Sequence, residues 1–144
     1  AHSLQQDFGI PNPRIAVLGL NPHAGDEGVI GEEEVNLLEP LLQTHQLDKT
    51  ELSGPFSAAA FFGSQSYTNY DAILAMYHDQ GLIPFKTLSF GEGVNFTAGL
   101  LAVRTSPDHG TAFGIAGTGQ ANPHSFRKAV QTAIEVVKRR KVLI

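Results

Sequence analysis

A chain of 144 residues, 42% of them hydrophobic, is enough polypeptide for one domain with a buried core. The formal net charge is −4, and no apolar run is long enough for a membrane span. There is no cysteine, so disulfides are excluded, and Ala-His-Ser-Leu-Gln-Gln-Asp at the start lacks the pattern of a secretory leader, which fits a cytoplasmic location.

Residues 1–13 are polar, end in Pro-Asn-Pro, and read as a frayed helix or linker; residues 14–144 read as one α/β portion. Residues 14–20 (RIAVLGL) are nearly all apolar, which predicts a strand buried on both faces, as in a parallel sheet. A loop follows over 21–31. Residues 32–44 predict a helix, acidic in its first turn, with Val35, Leu38, Leu41 and Leu42 on one face. His45, at its polar end, is expected to be exposed.

Residues 52–56 read as a short strand, 57–62 as a helical turn and 70–77 (YDAILAMY) as a second buried strand. Phe61, Phe62, Tyr67 and Tyr70 read as packing residues. Residues 81–88 are compatible with a short helix despite Pro84, and 93–97 and 101–105 predict two more strands. The last helix is expected from about Pro123 to Lys141, capped by Asn122, with a buried stripe of Phe126, Ala129, Val130, Ala133, Ile134 and Val137. Six of the ten basic residues fall between Arg127 and Lys141 with no aromatic among them. They complement the end of a helix dipole better than they make a nucleic-acid surface. Strands alternating with helices predict an α/β layer architecture.

Three groups of residues carry chemistry. His23 and His78 each sit in a polar turn directly after an apolar run. Ligands of parallel sheets gather beyond the strand carboxyl ends, where two imidazoles can bind a divalent metal. Asp79 is a further ligand or an acid–base group beside them; the plainer alternative is that each histidine only hydrogen-bonds its own loop. Lys86, Asn95 and Arg104 recur over 86–104 and suit an anionic substrate, with surface ion pairs as the alternative. Finally, residues 108–123 (DHGTAFGIAGTGQANP) hold four glycines and lead into a helix start. Such a loop suits a nucleotide, and it is expected at the carboxyl edge of the sheet. His2 and His124 receive no role.

Taken together, LNPHAGD (20–26), YDAILAMYHDQGLIPFK (70–86), GVNFTAGL (93–100) and VRTSPDHGTA (103–112) resemble the 4-hydroxythreonine-4-phosphate dehydrogenase family. These are NAD-dependent enzymes of vitamin B6 synthesis. The resemblance spans about residues 14–138. It implies the three-layer α/β/α fold of isocitrate and isopropylmalate dehydrogenases, present in part. It also implies their adenosine loop, His-Gly-Ser-Ala-Pro-Asp-Ile-Ala-Gly-Lys-Gly-x-Ala-Asn-Pro, matched from His109 to Pro123, with Gly114 in place of the aspartate.

By the same resemblance, His23 and His78 are two of three histidines holding a divalent metal: zinc, or magnesium, cobalt or manganese. Asp79 lies beside the metal and, with Lys86, is catalytic. Lys86, Asn95 and Arg104 bind a phosphorylated small-molecule substrate, and His109, Gly110, Thr111, Ala112 and Asn122 hold NAD. The implied assembly is a homodimer with the active site at the subunit interface; no nucleic acid or membrane partner is implied.

Family members are longer at the N-terminus, where they carry the third histidine and a His-Thr pair for the substrate phosphate. Ala59 stands where relatives usually have an aspartate. The resemblance thus implies a C-terminal portion with no appreciable activity alone. A dimerising or nucleotide-binding fragment, and a dehydrogenase for another phosphorylated hydroxy acid, are the competing readings.

Overall fold

The computed structural model describes residues 1–44 and 47–142, so His45 lies outside the described residues. The expected frayed helix or linker at the N-terminus contains α1 (His2–Gln6) and is tied down just after it. Asp7 is fully buried and accepts hydrogen bonds from Arg140 at 2.6 and 3.0 Å. That pairing holds the Asp7 carboxyl below the ordinary carboxylate range, the hydrogen bond from Arg140 outweighing burial.

The run at 14–20 forms β1 (Arg14–Leu18), and its Ala16, Val17 and Leu18 are buried. A π-type turn, Glu34–Leu38, leads into α2 (Glu39–Thr44). Here the expected stripe is corrected. Val35 and Leu41 are exposed, and the inward line is Glu34, Leu38 and Leu42, with Glu34 fully buried. β2 (Glu51–Phe56), α3 (Ala58–Gly63) and β3 (Ala72–Leu74) follow. The strand expected over 70–77 is thus only three residues long, and it is half-buried with Leu74 exposed, not buried on both faces.

β1 is the centre of a parallel three-stranded sheet ordered β2-β1-β3. The register of β1 and β2 shifts between Ala16 and Leu18. Gly54 lies beside this shift at φ 135°, where a Cβ would collide with the Val17 carbonyl oxygen. Ala16, Leu18 and Phe61 form the core, surrounded by Phe56, Phe62, Tyr67 and Tyr70. Phe56 stacks on Phe61 with centroids 5.2 Å apart, and Phe61 meets Tyr70 at 5.7 Å, so these aromatics pack, as expected.

α4 (His78–Ser89) continues through Pro84. β4 (Val94–Phe96) and β5 (Thr105–Pro107) make a separate antiparallel pair. The strand expected over 101–105 therefore lies further on, and Leu101 is fully exposed. α5 (His124–Val142) packs on this pair, with the Thr105 hydroxyl donating to the Ala129 carbonyl at 2.9 Å. Asn122 Oδ1 accepts the His124 N–H at 2.9 Å, the expected cap.

The face of α5 differs from the expected stripe. Of that stripe Ala129 is buried and Ala133 half-buried, whereas Phe126, Val130, Ile134 and Val137 are exposed; Ser125 and Val136 are buried as well. The two lines are offset by one residue, about 100° around a helix. The chain exposes 9777 Å², against about 7,200 Å² for a folded monomer of 15.4 kDa. Apolar faces such as this one account for part of the excess. Among the described residues, no helix is long and apolar enough to cross a membrane.

Candidate functional site

Two turns leave the same edge of the parallel sheet. β1 and β3 are adjacent and parallel, with Val17 opposite Leu74, so the segments after Leu18 and Leu74 emerge together. The first carries His23 and the second His78, both exposed. The matched strand-then-turn contexts thus reflect neighbouring positions in the fold.

The His23 turn is unusual. Over Pro22–Gly28 the chain winds tightly, and residues 23–27 all hold positive φ, from 48° to 82°. Four of the five are not glycine, and a left-handed turn costs such residues about 1–2 kcal/mol each. The strain is held by contacts. Glu34 Oε1 accepts the Asn21 N–H at 2.7 Å, and Glu34 Oε2 accepts the Asn21 side-chain N–H at 2.9 Å. Burial pushes the Glu34 carboxyl up, but the hydrogen bonds from the Asn21 backbone and side chain outweigh it and hold the pKa below the ordinary range. Gly25 is buried at the centre of the turn. A Cβ there would lie 2.6 Å from the Gly31 carbonyl and 2.7 Å from Glu34 Oε2.

The His78 turn is tied to the same place. Gln80 Oε1 accepts the N–H groups of Met76 and Tyr77 at 2.9 and 3.2 Å, and Gln80 Nε2 donates to the Gly19 carbonyl at 3.0 Å. Asp79, exposed in the first turn of α4, faces a groove of about 450 Å³ that Ala59 also lines. Among the described residues, no three histidine, aspartate or glutamate side chains come together as a metal cluster.

The expected anion-binding residues separate into two settings. Lys86, in the last turn of α4, is paired: its Nζ lies 3.0 and 3.1 Å from the Asp108 carboxylate oxygens and donates to the Asp108 carbonyl at 3.2 Å. Asn95 lies opposite Ser106, and the Thr97 N–H donates to the Arg104 carbonyl at 3.0 Å. By the alternation of strands, Asn95, Thr97, Arg104 and Ser106 share one face of the β4–β5 pair. Arg104 donates from that face to the Thr97 hydroxyl at 2.9 Å. Asn95 and Arg104 are both exposed.

The glycine-rich loop leaves β5, the antiparallel strand. The strand that leads into it is thus not one of the parallel sheet's three. Every residue from 109 to 124 is exposed, His109, Gly110, Thr111, Ala112 and Asn122 included. A Cβ on Gly110, Gly114, Gly117 or Gly119 would touch nothing. The loop curls over a cleft of about 290 Å³ lined by Gly91, His109, Ala112, Ile115, Asn122 and His124. One wall is fixed by Glu92, which accepts from His124 Nε2 at 2.9 Å and pairs with Lys128 Nζ at 3.1 Å.

Sequence reasoning missed Asn21, Glu34 and Gln80; the surface ion pair it offered as the alternative for Lys86 is present, with Asp108 as the partner it did not name. A signal for Glu34 was available: it stands four and eight residues before Leu38 and Leu42, a charge on an apolar line.

Comparisons with known proteins agree with this layout. Residues 1–133 match the family model described as "Pyridoxal phosphate biosynthetic protein PdxA", so the match includes the first thirteen residues. A 4-hydroxythreonine-4-phosphate dehydrogenase of Prosthecochloris aestuarii is 57% identical over 134 residues, 93% of this chain and 39% of that protein. One of Bacteroides thetaiotaomicron is 55% identical, covering 96% of this chain and 38% of its own length. A crystal structure of the enzyme of that name from Klebsiella pneumoniae superimposes with a TM-score of 0.73 at 43% identity, over 96% of this chain and 41% of that one. The chain spans about two fifths of the length of the relatives it matches. With a parallel α/β sheet, paired histidine turns and a family match over nearly its whole length, the chain belongs to the PdxA family of pyridoxal phosphate biosynthetic proteins.

Proposed function

We propose that this chain supplies the cofactor- and metal-facing part of an NAD-dependent dehydrogenase. The enzyme oxidises the C3 hydroxyl of 4-phosphohydroxy-L-threonine, and loss of CO₂ then leaves 3-amino-2-oxopropyl phosphate. The observation that carries the reading is the emergence of the His23 and His78 turns from adjacent parallel strands, in a chain 57% identical to a protein of that name.

The residues fit a divalent ion as part of its ligand set. His23 and His78 offer imidazole nitrogens and Asp79 a carboxylate, a combination suited to zinc, cobalt or manganese, and to magnesium where carboxylates dominate. When bound, such an ion polarises the hydroxyl and supports the developing negative charge. Lys86, Asn95 and Arg104 bind and orient the anionic substrate. For this Lys86 exchanges its Asp108 partner for a substrate oxygen. His109, Gly110, Thr111, Ala112 and Asn122 hold the adenosine end of NAD. Their cleft is of a size for one end of a dinucleotide.

The three-layer arrangement of isocitrate and isopropylmalate dehydrogenases, a cytoplasmic location and a homodimer with the site between subunits belong to the same reading. The exposed line Phe126, Val130, Ile134 and Val137 supports a further apolar contact of this kind.

The test is NADH formation by the full-length protein with 4-phosphohydroxy-L-threonine, NAD and a divalent metal. Turnover is expected there, and none from residues 1–144 alone. Oxidation of only a different phosphorylated hydroxy acid would replace the substrate, and activity of residues 1–144 alone would contradict the division of parts.

A further inference from the structure

We infer that Glu34 and Gln80 are positioning residues that fix the His23 turn and the His78 turn relative to each other. The two side chains converge on one short stretch of backbone, residues 19–21. Glu34 reaches it from the helical turn after the His23 loop and accepts the Asn21 backbone N–H and one side-chain N–H, while Glu33 accepts from the same side-chain amide at 2.7 Å. Gln80 reaches it from α4 and donates to the Gly19 carbonyl, while its Oε1 accepts the consecutive N–H groups of Met76 and Tyr77. The arrangement of donors and acceptors allows Gln80 only one orientation.

Each bond acts where the backbone most needs it. Residues 23–27 are held in a left-handed turn that their side chains disfavour, so without a clamp the segment relaxes toward right-handed or extended conformations. Glu34 is fully buried and spans the loop from residue 21 to residue 34, closing the excursion that contains His23. Gly25 leaves room for the Glu34 carboxylate where any side chain would strike it. His78 is the first residue of α4, two positions before Gln80, so fixing Gln80 to Gly19 fixes the helix start against the β1 exit. Two imidazoles on separate loops serve one ion only if their spacing is set beforehand.

As a statement about metal binding, this rests on the reading of His23 and His78 as ligands. The experiment separates the two. Zinc alone is titrated into full-length wild type, Glu34→Gln, Gln80→Met and His23→Ala proteins. Amide hydrogen exchange is followed at Ala24 and Val29, which donate to the Asn21 and Asp26 carbonyls.

Glu34→Gln and Gln80→Met are expected to weaken zinc binding roughly 10- to 100-fold. Glu34→Gln should also speed exchange at both amides, and neither variant should change the Michaelis constant for NAD. Zinc affinity within about twofold of wild type in both variants, with His23→Ala weakened, overturns the inference and keeps the metal reading. Unchanged affinity in His23→Ala overturns the metal reading; the clamp then stands if Glu34→Gln speeds exchange and falls if it does not. Should Glu34→Gln not fold, Gln80→Met, on the half-buried side of α4, carries the test through zinc affinity: a loss supports the inference and affinity within about twofold of wild type overturns it.

Discussion

The His23 turn and the glycine-rich loop both follow β-strands and both are candidate ligand sites, yet their construction is opposite. The turn is strained and clamped: five positive φ values, a buried Gly25, and a carboxylate gripping the Asn21 backbone. The loop is open. Its residues 109–124 are all exposed, and most of its hydrogen bonds are short-range, such as His109 Nδ1 with the Gly110 carbonyl at 2.9 Å. A site for a small ion needs its geometry set by the chain. A loop that wraps a larger, flexible molecule can take its final shape from the ligand.

The largest effect is expected from removing one of the two proposed metal ligands. His23→Ala or His78→Ala in the full-length protein should weaken divalent-metal affinity and lower kcat by more than the ~10–100-fold of an outer-sphere change. Metal titration and turnover check this. Loss in only one of the two variants would separate turns that the sheet brings to one edge.

Glycine substitution sharpens the contrast next. Gly25→Ala must place a Cβ 2.6 Å from a carbonyl at φ 82°, and should cost about 1–3 kcal/mol of stability by denaturant unfolding. Gly110→Leu meets open space and should stay within about 0.5 kcal/mol of wild type. Its effect belongs to binding: the Michaelis constant for NAD should rise more than that for substrate. An unchanged NAD constant would count against the loop as the adenosine site.

Acid separates the regions more gently. Glu34 is held below its ordinary pKa of 4.5 by the Asn21 hydrogen bonds, so its stabilisation is complete above that value and lost as pH falls through the lower, folded one. Asp7, paired with Arg140, acts in the same direction from 3.8. Thermal midpoints should therefore drop as pH falls below about 4, and Glu34→Gln should flatten part of that drop. Glu92, beside the loop, is also lowered by Lys128 and His124, but it is solvent-exposed and its contribution should vanish in salt.

How legible this was depended on how local the signal is. β1 and α5 follow from an apolar run and from periodicity, and the Asn122 cap from residue type; α4 was legible only as a short helix that 81–88 allowed, because Pro84 interrupts its pattern. His23 and His78 were readable as candidates because a polar turn after an apolar run is a local pattern. The left-handed turn was not, since only Gly25 among residues 23–27 is glycine and the contacts that hold the rest come from Glu34, beyond the loop. Glu34 itself reads as ordinary helix-dipole charge until its place on the Leu38–Leu42 line is noticed. On α5 two apolar lines run one residue apart, and periodicity alone does not tell which one meets β4 and β5. The glycine-rich loop was recognisable as a motif, but its attachment to an antiparallel pair depends on where 105–107 finds its partner.

Hydrogen exchange across residues 19–30 and 109–122 of the full-length protein, with and without NAD, tests the contrast most directly. Protected amides at Ala24, Val29 and Ile30 without any ligand are expected, together with fast exchange through 109–122 that slows when NAD is added. A loop already protected without NAD, or a His23 turn that exchanges as fast as the loop, would contradict the assignment of one clamped and one ligand-shaped site.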